Sequence, residues 1–214
     1  MVKAVIFDMD GLLLDTERLI VEAFVETRVA LGLPEGREII LGCIGLRGDK
    51  TREVLAEAHD GTLYERFNAE WETRNRAKLS GDIPLRPGAS ELLARLTEKG
   101  LPMGVATSTR TEVARSHLQR MGLLPHLAHV VGGDQVNNPK PHPEVYLKVA
   151  GLLGVAATDC VAFEDSETGT RAALASGARV VQVPDLVPPS DALKAEGHVI
   201  ASSLLEGAAA IALI

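Results

Sequence analysis

Five short apolar runs recur along the chain with segments of helical period between them: Val2–Phe7, Pro102–Ala106, His129–Val131, Cys160–Phe163 and Arg179–Val183. A sixth, Val199–Ala201, is weaker. Most are rich in Val and Ile and bordered by Gly, Asp or Pro, the pattern of strands buried on both faces. The intervening segments Ala89–Lys99, Thr111–Met121, Pro143–Leu153 and Thr168–Ser176 each run into a glycine, at positions 100, 122, 154 and 177. Glycine is the usual residue of a left-handed helix C-cap. This alternation predicts an α/β fold with a Rossmann-like, doubly wound, mostly parallel sheet and helices on both faces.

One region departs from the alternation. From about Thr16 to Gly81 no β-α unit is visible, and Glu17–Leu31, Arg47–Ala58 and Thr62–Leu79 have apolar positions at three- and four-residue spacing. The Gly- and Pro-rich stretch Ser80–Gly88 reads as a return linker. The expected organisation is therefore a catalytic core from residues 1–15 and 82–214, with an all-helical cap, 16–81, inserted after the first strand. The C-terminal EGAAAIALI reads as a small apolar helix or tail. A chain of 214 residues can hold a core and a smaller insertion. Aromatics are only 3% of it, so Leu, Val, Ile and Ala must do most of the packing.

Net charge −7 argues against a nucleic-acid or anionic-membrane surface, which would need a basic excess. An anionic small substrate remains open, because one metal ion or local cation can outweigh the global field. Cys43 and Cys160 form no CxxC pair, and two free thiols in a reducing compartment are expected. Asp8 and Asp10 interrupt the first apolar run, so it is no signal peptide, and no run reaches the ~18 apolar residues of a membrane span. A soluble, cytoplasmic monomer is expected.

In open α/β sheets ligands bind beyond the carboxyl ends of the strands. The first strand is followed by Asp8 and Asp10, and the second by Thr107, Ser108, Thr109 and Arg110. The third leads through Gly132–Asp134 to Asn138, Pro139 and Lys140, and the fourth ends in Glu164, Asp165 and Ser166. Acids, hydroxyls and one lysine on one edge suit a divalent cation and a phosphate. Mg²⁺ takes oxygen ligands and keeps several waters, so Asp8, Asp165 and Glu164, with the Asp10 main-chain carbonyl, form a candidate metal set. Glu164 is equally open as an acceptor that orients a metal-bound water. Asp8 can attack phosphorus as a nucleophile. Asp10, two residues on, faces the same side in extended backbone and can act as acid and then base. Thr107 and the Ser108 N–H can bind phosphoryl oxygens, and Lys140 can offset the charge on Asp8 and the phosphate.

DMDGLLLDT, the strand-end Thr107, the lysine of NPKPHPEVY and the acidic pair of FEDSETG match, in order, the four motifs of the haloacid dehalogenase-like hydrolases. The resemblance spans essentially the whole chain. It is nearest the branch with a helical cap after the first strand, which includes β-phosphoglucomutases and sugar-phosphate phosphatases. It implies a Mg²⁺-dependent phosphatase acting on a small phosphorylated metabolite, a sugar or polyol phosphate, through an aspartyl-phosphate. Dehalogenases and phosphonate-cleaving members lack the second aspartate, present here as Asp10. β-Phosphoglucomutases place a histidine four residues after the threonine of the DT pair, where this chain has Ile20, so a phosphosugar mutase is the alternative rather than the expectation. A phospho-accepting regulator is a third reading, opposed by Asp10 and the cap. The resemblance puts substrate choice in IGLRGDKT, Ile44–Thr51, with Arg47 the foremost candidate and Asp49 and Lys50 behind it. Glu17 is expected to face the interdomain cleft. Arg110 and Asn138 are candidates for phosphate contact, with turn and capping roles as alternatives. His142 reads as a helix-start residue, and Trp71 as part of the cap's packing.

Overall fold

The structure, a computed structural model, describes residues 2–46 and 48–214. Strand β1 (Ala4–Phe7) lies at the centre of a six-stranded sheet. The others are β2 (Met103–Ala106), β3 (His129–Val131), β4 (Cys160–Glu164), β5 (Arg179–Gln182) and β6 (Val199–Ile200), in the spatial order β3-β2-β1-β4-β5-β6. Every pairing is parallel, with Phe7 opposite both Val105 and Phe163. The chain builds outward from β1 on one side, then returns and builds outward on the other. The order reverses between β1 and β4, and a crevice at such a switch point is where a doubly wound sheet binds its ligand.

Period-two alternation assigns the strand side chains to two layers. Val5 and Phe7 join one buried cluster with Leu92, Leu93 and Leu96 of α5 (Ala89–Glu98) and Ala114 and Leu118 of α6 (Thr111–Arg120). Leu204 and Ala208 of a C-terminal helix, Leu204–Ala210, close the same layer. Ala4 and Ile6 face the opposite way, against Val145, Tyr146 and Val149 of α7 (Glu144–Leu152) and Ala172 and Ala173 of α8 (Glu167–Ala175). A four-residue helix, α9 (Asp191–Lys194), precedes β6, and the C-terminal helix is α10. The glycines expected to end four of these helices do so, at φ 68°, 74°, 74° and 84° for Gly100, Gly122, Gly154 and Gly177. Cys43 and Cys160 are buried, unbonded thiols.

Between β1 and α5 run α1 (Thr16–Ala30), α2 (Arg37–Leu41), α3 (Gly48–Glu57) and α4 (Gly61–Ser80). They have their own buried cluster, in which Phe24, Phe67 and Trp71 pack ring to ring at centroid distances of 5.2 to 6.2 Å. The scarce aromatics are thus concentrated here, where four helices must fill a small core without a sheet. α2 is a correction to the three-helix expectation: at five residues it is too short to display a helical period, and it starts from Gly36 at φ 58°. The expected start of the next helix, Arg47, lies outside the described residues. The two chains that link this unit to the sheet lie side by side: Asp15 N–H donates to the Pro84 carbonyl at 2.8 Å and Arg86 N–H to that of Leu13 at 3.0 Å.

Candidate active site

β1 and β4 are neighbours, so the residues that follow them meet. Lys140 Nζ donates to Asp8 Oδ1 at 2.6 Å and to Glu164 Oε1 at 2.5 Å. Lys140, Asp8 and Glu164 are all buried, Glu164 completely. Tyr146 Oη adds a second donor to Glu164 Oε1 at 2.7 Å, while Glu164 Oε2 accepts from the backbone N–H groups of Asp165 and Ser166 and from the Ser166 hydroxyl. Both Glu164 oxygens are thus engaged by the protein, and the side chain is an anchor for Lys140. Asp8 Oδ1 is occupied by Lys140; no protein donor reaches Oδ2 among the described residues.

Asp8, Glu164 and Asp165 can each present an oxygen within 4.8 Å of the others. Asp10 is not in that group. Its Oδ1 accepts from Thr16 Oγ1 at 2.7 Å, and its Oδ2 from Thr107 Oγ1 at 3.1 Å and Thr109 Oγ1 at 2.8 Å. Hydroxyls can donate to a carboxylate or accept from a carboxylic acid, so the same three contacts serve Asp10 in either protonation state. Thr107 Oγ1 also accepts from Thr109 N–H at 3.0 Å, which folds the turn after β2 around Asp10.

Burial pushes the Asp8 carboxyl up to about 8, against the pull of Lys140 and with the help of Glu164 and Asp10. Burial likewise raises Asp165 well above the usual range, with Glu17 and Glu164 adding repulsion. Glu17 is raised to about 9 by burial and then by Asp10 and Asp8. Burial alone would lower the Lys140 ammonium, yet Asp8 and Glu164 hold it above its ordinary value. One lysine does not balance this many buried acids, and the surplus negative charge is what an oxygen-ligated cation would take up.

Two glycines make the approach of these groups possible. Gly11 sits at φ 80°, and a Cβ there would overlap Asp165 Oδ2 and crowd the Glu17 carboxyl. At Gly169, in the first turn of α8, a Cβ would fall onto the Glu164 carboxylate. Ser166 caps that helix, its Oγ accepting from Gly169 N–H at 3.1 Å.

The acids line one cavity of about 480 Å³ between the sheet edge and the α1–α4 unit. Of the residues singled out in the sequence, Asp8, Asp10, Glu17, Thr107, Ser108, Arg110, Lys140 and Asp165 line it, and Glu164 lies behind Lys140. Ile20 and Trp71 line it as well. Arg47 lies outside the described residues. Asn138 serves the turn before Lys140: its N–H and side-chain amide both donate to Glu144 Oε2 at 2.9 Å. His142 Nδ1 accepts from Glu144 N–H at the start of α7. Sequence reading assigned no role to Thr16, Tyr146, Gly11 and Gly169, and named Thr109 only as one of the hydroxyls after the second strand. Thr16 stands within a quoted motif, but nothing in a linear sequence shows that its hydroxyl and that of Thr109 reach the same carboxylate.

The sequence profile of the haloacid dehalogenase-like hydrolases matches residues 5–183. The chain belongs to this family. A haloacid dehalogenase-like relative from Thermotoga maritima, a phosphorylated carbohydrates phosphatase, is 35% identical over 82% of this chain and 82% of its own. A HAD family hydrolase from Deinococcus radiodurans R1, solved with bound phosphate and sodium, is 32% identical. It superimposes at a TM-score of 0.84 over 99% of this chain and 95% of its own. A β-phosphoglucomutase from Clostridium difficile shares the haloacid dehalogenase-like fold at a TM-score of 0.74, over 95% of this chain and 92% of its own, with 21% identity. Among the described residues no helix is long and apolar enough to cross a membrane.

Proposed function

We propose that the protein is a Mg²⁺-dependent phosphomonoesterase that hydrolyses a small phosphorylated metabolite through an aspartyl-phosphate on Asp8. The observation that carries this reading is the Lys140 bridge. A lysine locked between Asp8 and Glu164 holds one oxygen of Asp8, a residue of the cavity wall, and leaves the other without a protein donor among the described residues, as a nucleophile requires. The Thermotoga relative's name supports the reaction class.

The donor set fits the cation. Three buried carboxylates whose oxygens lie within 4.8 Å of one another offer only oxygen, the ligand type that Mg²⁺ prefers. Asp8 and Asp165 would hold it, with the Asp10 carbonyl; Glu164, already saturated with donors, acts through Lys140. Bound there, the cation supplies charge neutralisation of the phosphoryl oxygens.

In the first half-reaction Asp8 Oδ2 bonds to phosphorus as the ester P–O bond breaks, and the departing alkoxide takes the Asp10 proton. In the second, Asp10 takes a proton from water, the hydroxide oxygen bonds to phosphorus, and the P–O bond to Asp8 breaks to release inorganic phosphate. Thr107 and the Ser108 N–H lie at the cavity wall to receive the phosphoryl oxygens. Residues 16–81 act as the cap that excludes water from the first step, and residues 1–15 and 82–214 as the core that carries the chemistry.

Phosphate release from a panel of phosphorylated metabolites, with and without Mg²⁺, tests the reading. Asp8→Asn should lower turnover by orders of magnitude. Full activity of that variant, or of protein held in chelator, would overturn it. Isomerisation is disfavoured by Ile20, an alkyl chain on the cavity wall that cannot move a proton.

A further inference from the structure

The main chain of Asp165 is held from behind by two residues that are not part of the cavity wall, Gln182 and His198. Gln182, the last residue of β5, is fully buried, and its chain neighbours Val180, Val181 and Val183 are buried apolar residues. An amide in such a place costs free energy unless its polar ends are bonded. Both are. Gln182 Nε2 donates to the Asp165 carbonyl at 3.3 Å, and Gln182 Oε1 lies 2.9 Å from His198 Nε2. The sheet brings the three together: the β4–β5 register sets Gln182 opposite Glu164, and the β5–β6 register sets it opposite Ile200, two residues after His198.

The direction of these bonds follows from the atoms. The Asp165 carbonyl can only accept, so the end of Gln182 that meets it is the NH₂ group and the amide oxygen faces His198. That oxygen can only accept in turn, so His198 presents Nε2–H, the tautomer that leaves Nδ1 bare in the neutral ring. Burial lowers the imidazole from its ordinary value, against the pull of Glu196, which favours that neutral ring. Donation therefore runs from His198 to Gln182 to Asp165. What it fixes is a peptide plane. The peptide between Asp165 and Ser166 has its carbonyl held by Gln182 and its N–H held by Glu164 Oε2 at 3.2 Å. The Asp165 N–H, on the preceding peptide, goes to the same Glu164 oxygen at 3.1 Å. With the planes on both sides of the Asp165 Cα bonded, the direction of its side chain is set. The carboxylate itself packs against Gly11, where a Cβ would overlap Oδ2, so it has little room to recover from a turned main chain.

Given the Mg²⁺-dependent reading above, on which it rests, we propose that Gln182 and His198 are positioning residues of the cation site. Gln182 turns the Asp165 main chain so that the carboxylate stands beside that of Asp8, and His198 holds the Gln182 amide in the one orientation that does so. The edge strand β6, only two residues long, thereby has a part in the site: it carries His198 to the back of the crevice. His198 is half-buried, so two hydrogen bonds connect the molecular surface to the main chain of a cation ligand.

Titration with Mn²⁺, followed by electron paramagnetic resonance, reads the site without substrate, since carboxylate oxygens take Mn²⁺ as they take Mg²⁺. Gln182→Met keeps the length of the side chain and removes the amide. Loss of a partner behind a metal ligand weakens metal binding about 10- to 100-fold, and about tenfold is expected here, where a main-chain carbonyl rather than the carboxylate is released. His198→Phe keeps a ring in the half-buried site and should weaken binding severalfold. His198→Gln, whose amide nitrogen can take the place of Nε2, should restore most of that loss. In the phosphatase assay the Mg²⁺ concentration for half-activity should rise by the same factors, with kcat at saturating Mg²⁺ nearly unchanged. A Gln182→Met protein that melts earlier in chelator but binds Mn²⁺ like the wild type would assign the amide to packing alone and overturn the proposal. Equal effects of His198→Phe and His198→Gln would overturn it too, and these two variants decide the matter if Gln182→Met does not fold. If no phosphate ester is hydrolysed while Gln182→Met still weakens Mn²⁺ binding about tenfold, hydrolysis fails and the positioning role stands. Unaltered Mn²⁺ binding in the variants with hydrolysis intact sinks the positioning role alone, and wild-type protein that binds no Mn²⁺ sinks both.

Discussion

Lys140 is only 8% exposed and touches two carboxylates, so its removal is not a surface change. Lys140→Met would leave Asp8 and Glu164 buried beside each other without a cation between them. Breaking a buried pair in this way costs about 3–5 kcal/mol. Denaturant unfolding at pH 7 should show a loss of that size. Gly169 is the quieter member of the same assembly. Gly169→Ala pushes a methyl group into Glu164, which cannot retreat because both its oxygens are bonded. Overpacking of this kind costs about 1–3 kcal/mol, and a shifted Glu164 takes Lys140 with it. Turnover should fall by more than the stability loss alone explains, measured well below the melting temperature; unchanged turnover would show that Glu164 does not position the lysine.

At the scale of elements, the α1–α4 unit is tethered near its two linkers. Asp185, from the loop after β5, accepts from Arg18 of α1 at 2.5 Å and from Arg86 of the return linker at 2.8 Å. Its side chain is 1% exposed, unlike most surface pairs. Arg120 of α6 donates to the carbonyls of Leu79 and Ser80 at the end of α4. Asp185→Ala should therefore loosen the linker first: limited proteolysis within residues 80–88 should accelerate severalfold while the sheet core keeps its thermal transition within a few degrees. Uniform destabilisation of both would place the tether's value in the core instead. Period and punctuation made most elements legible in the sequence, because a doubly wound sheet forces buried strands and glycine-ended helices into a recognisable order. The strand-end rule then gathered Asp8, Asp10, Thr107, Lys140, Glu164 and Asp165. What it left out has one cause. Whether Glu164 faces the cavity or Lys140, whether Thr109 meets Asp10, and which side of α4 is wet are settled by side-chain directions across segments up to a hundred residues apart. Local spacing carries no record of that, and α2 shows the same limit for a helix shorter than two turns.

The charge distribution ties the site to the stability of the whole molecule. In the protein without cation, Asp8 is raised to about 8 and Glu17 to about 9, from ordinary values of 3.8 and 4.5, and Asp165 is raised with them. Burial is the leading cause in each case. Between pH ~4 and ~9 the folded chain therefore holds protons that the unfolded chain has released. Where the native state binds more protons than the unfolded one, stability falls as pH rises. Cation-free protein should melt at progressively lower temperature from pH 5 to pH 9, even though most proteins are near their optimum in that range. The proposed Mg²⁺ ion reverses the slope, because it binds the deprotonated carboxylates and adds stability by mass action. The melting-temperature gain on adding Mg²⁺ should consequently grow with pH, small at pH 5.5 and largest near pH 8.5. Scanning calorimetry in chelator and in millimolar Mg²⁺ across that range measures both slopes. A gain independent of pH would mean that the cation does not replace protons on Asp8 and Asp165, and would move the metal site away from the crevice between β1 and β4.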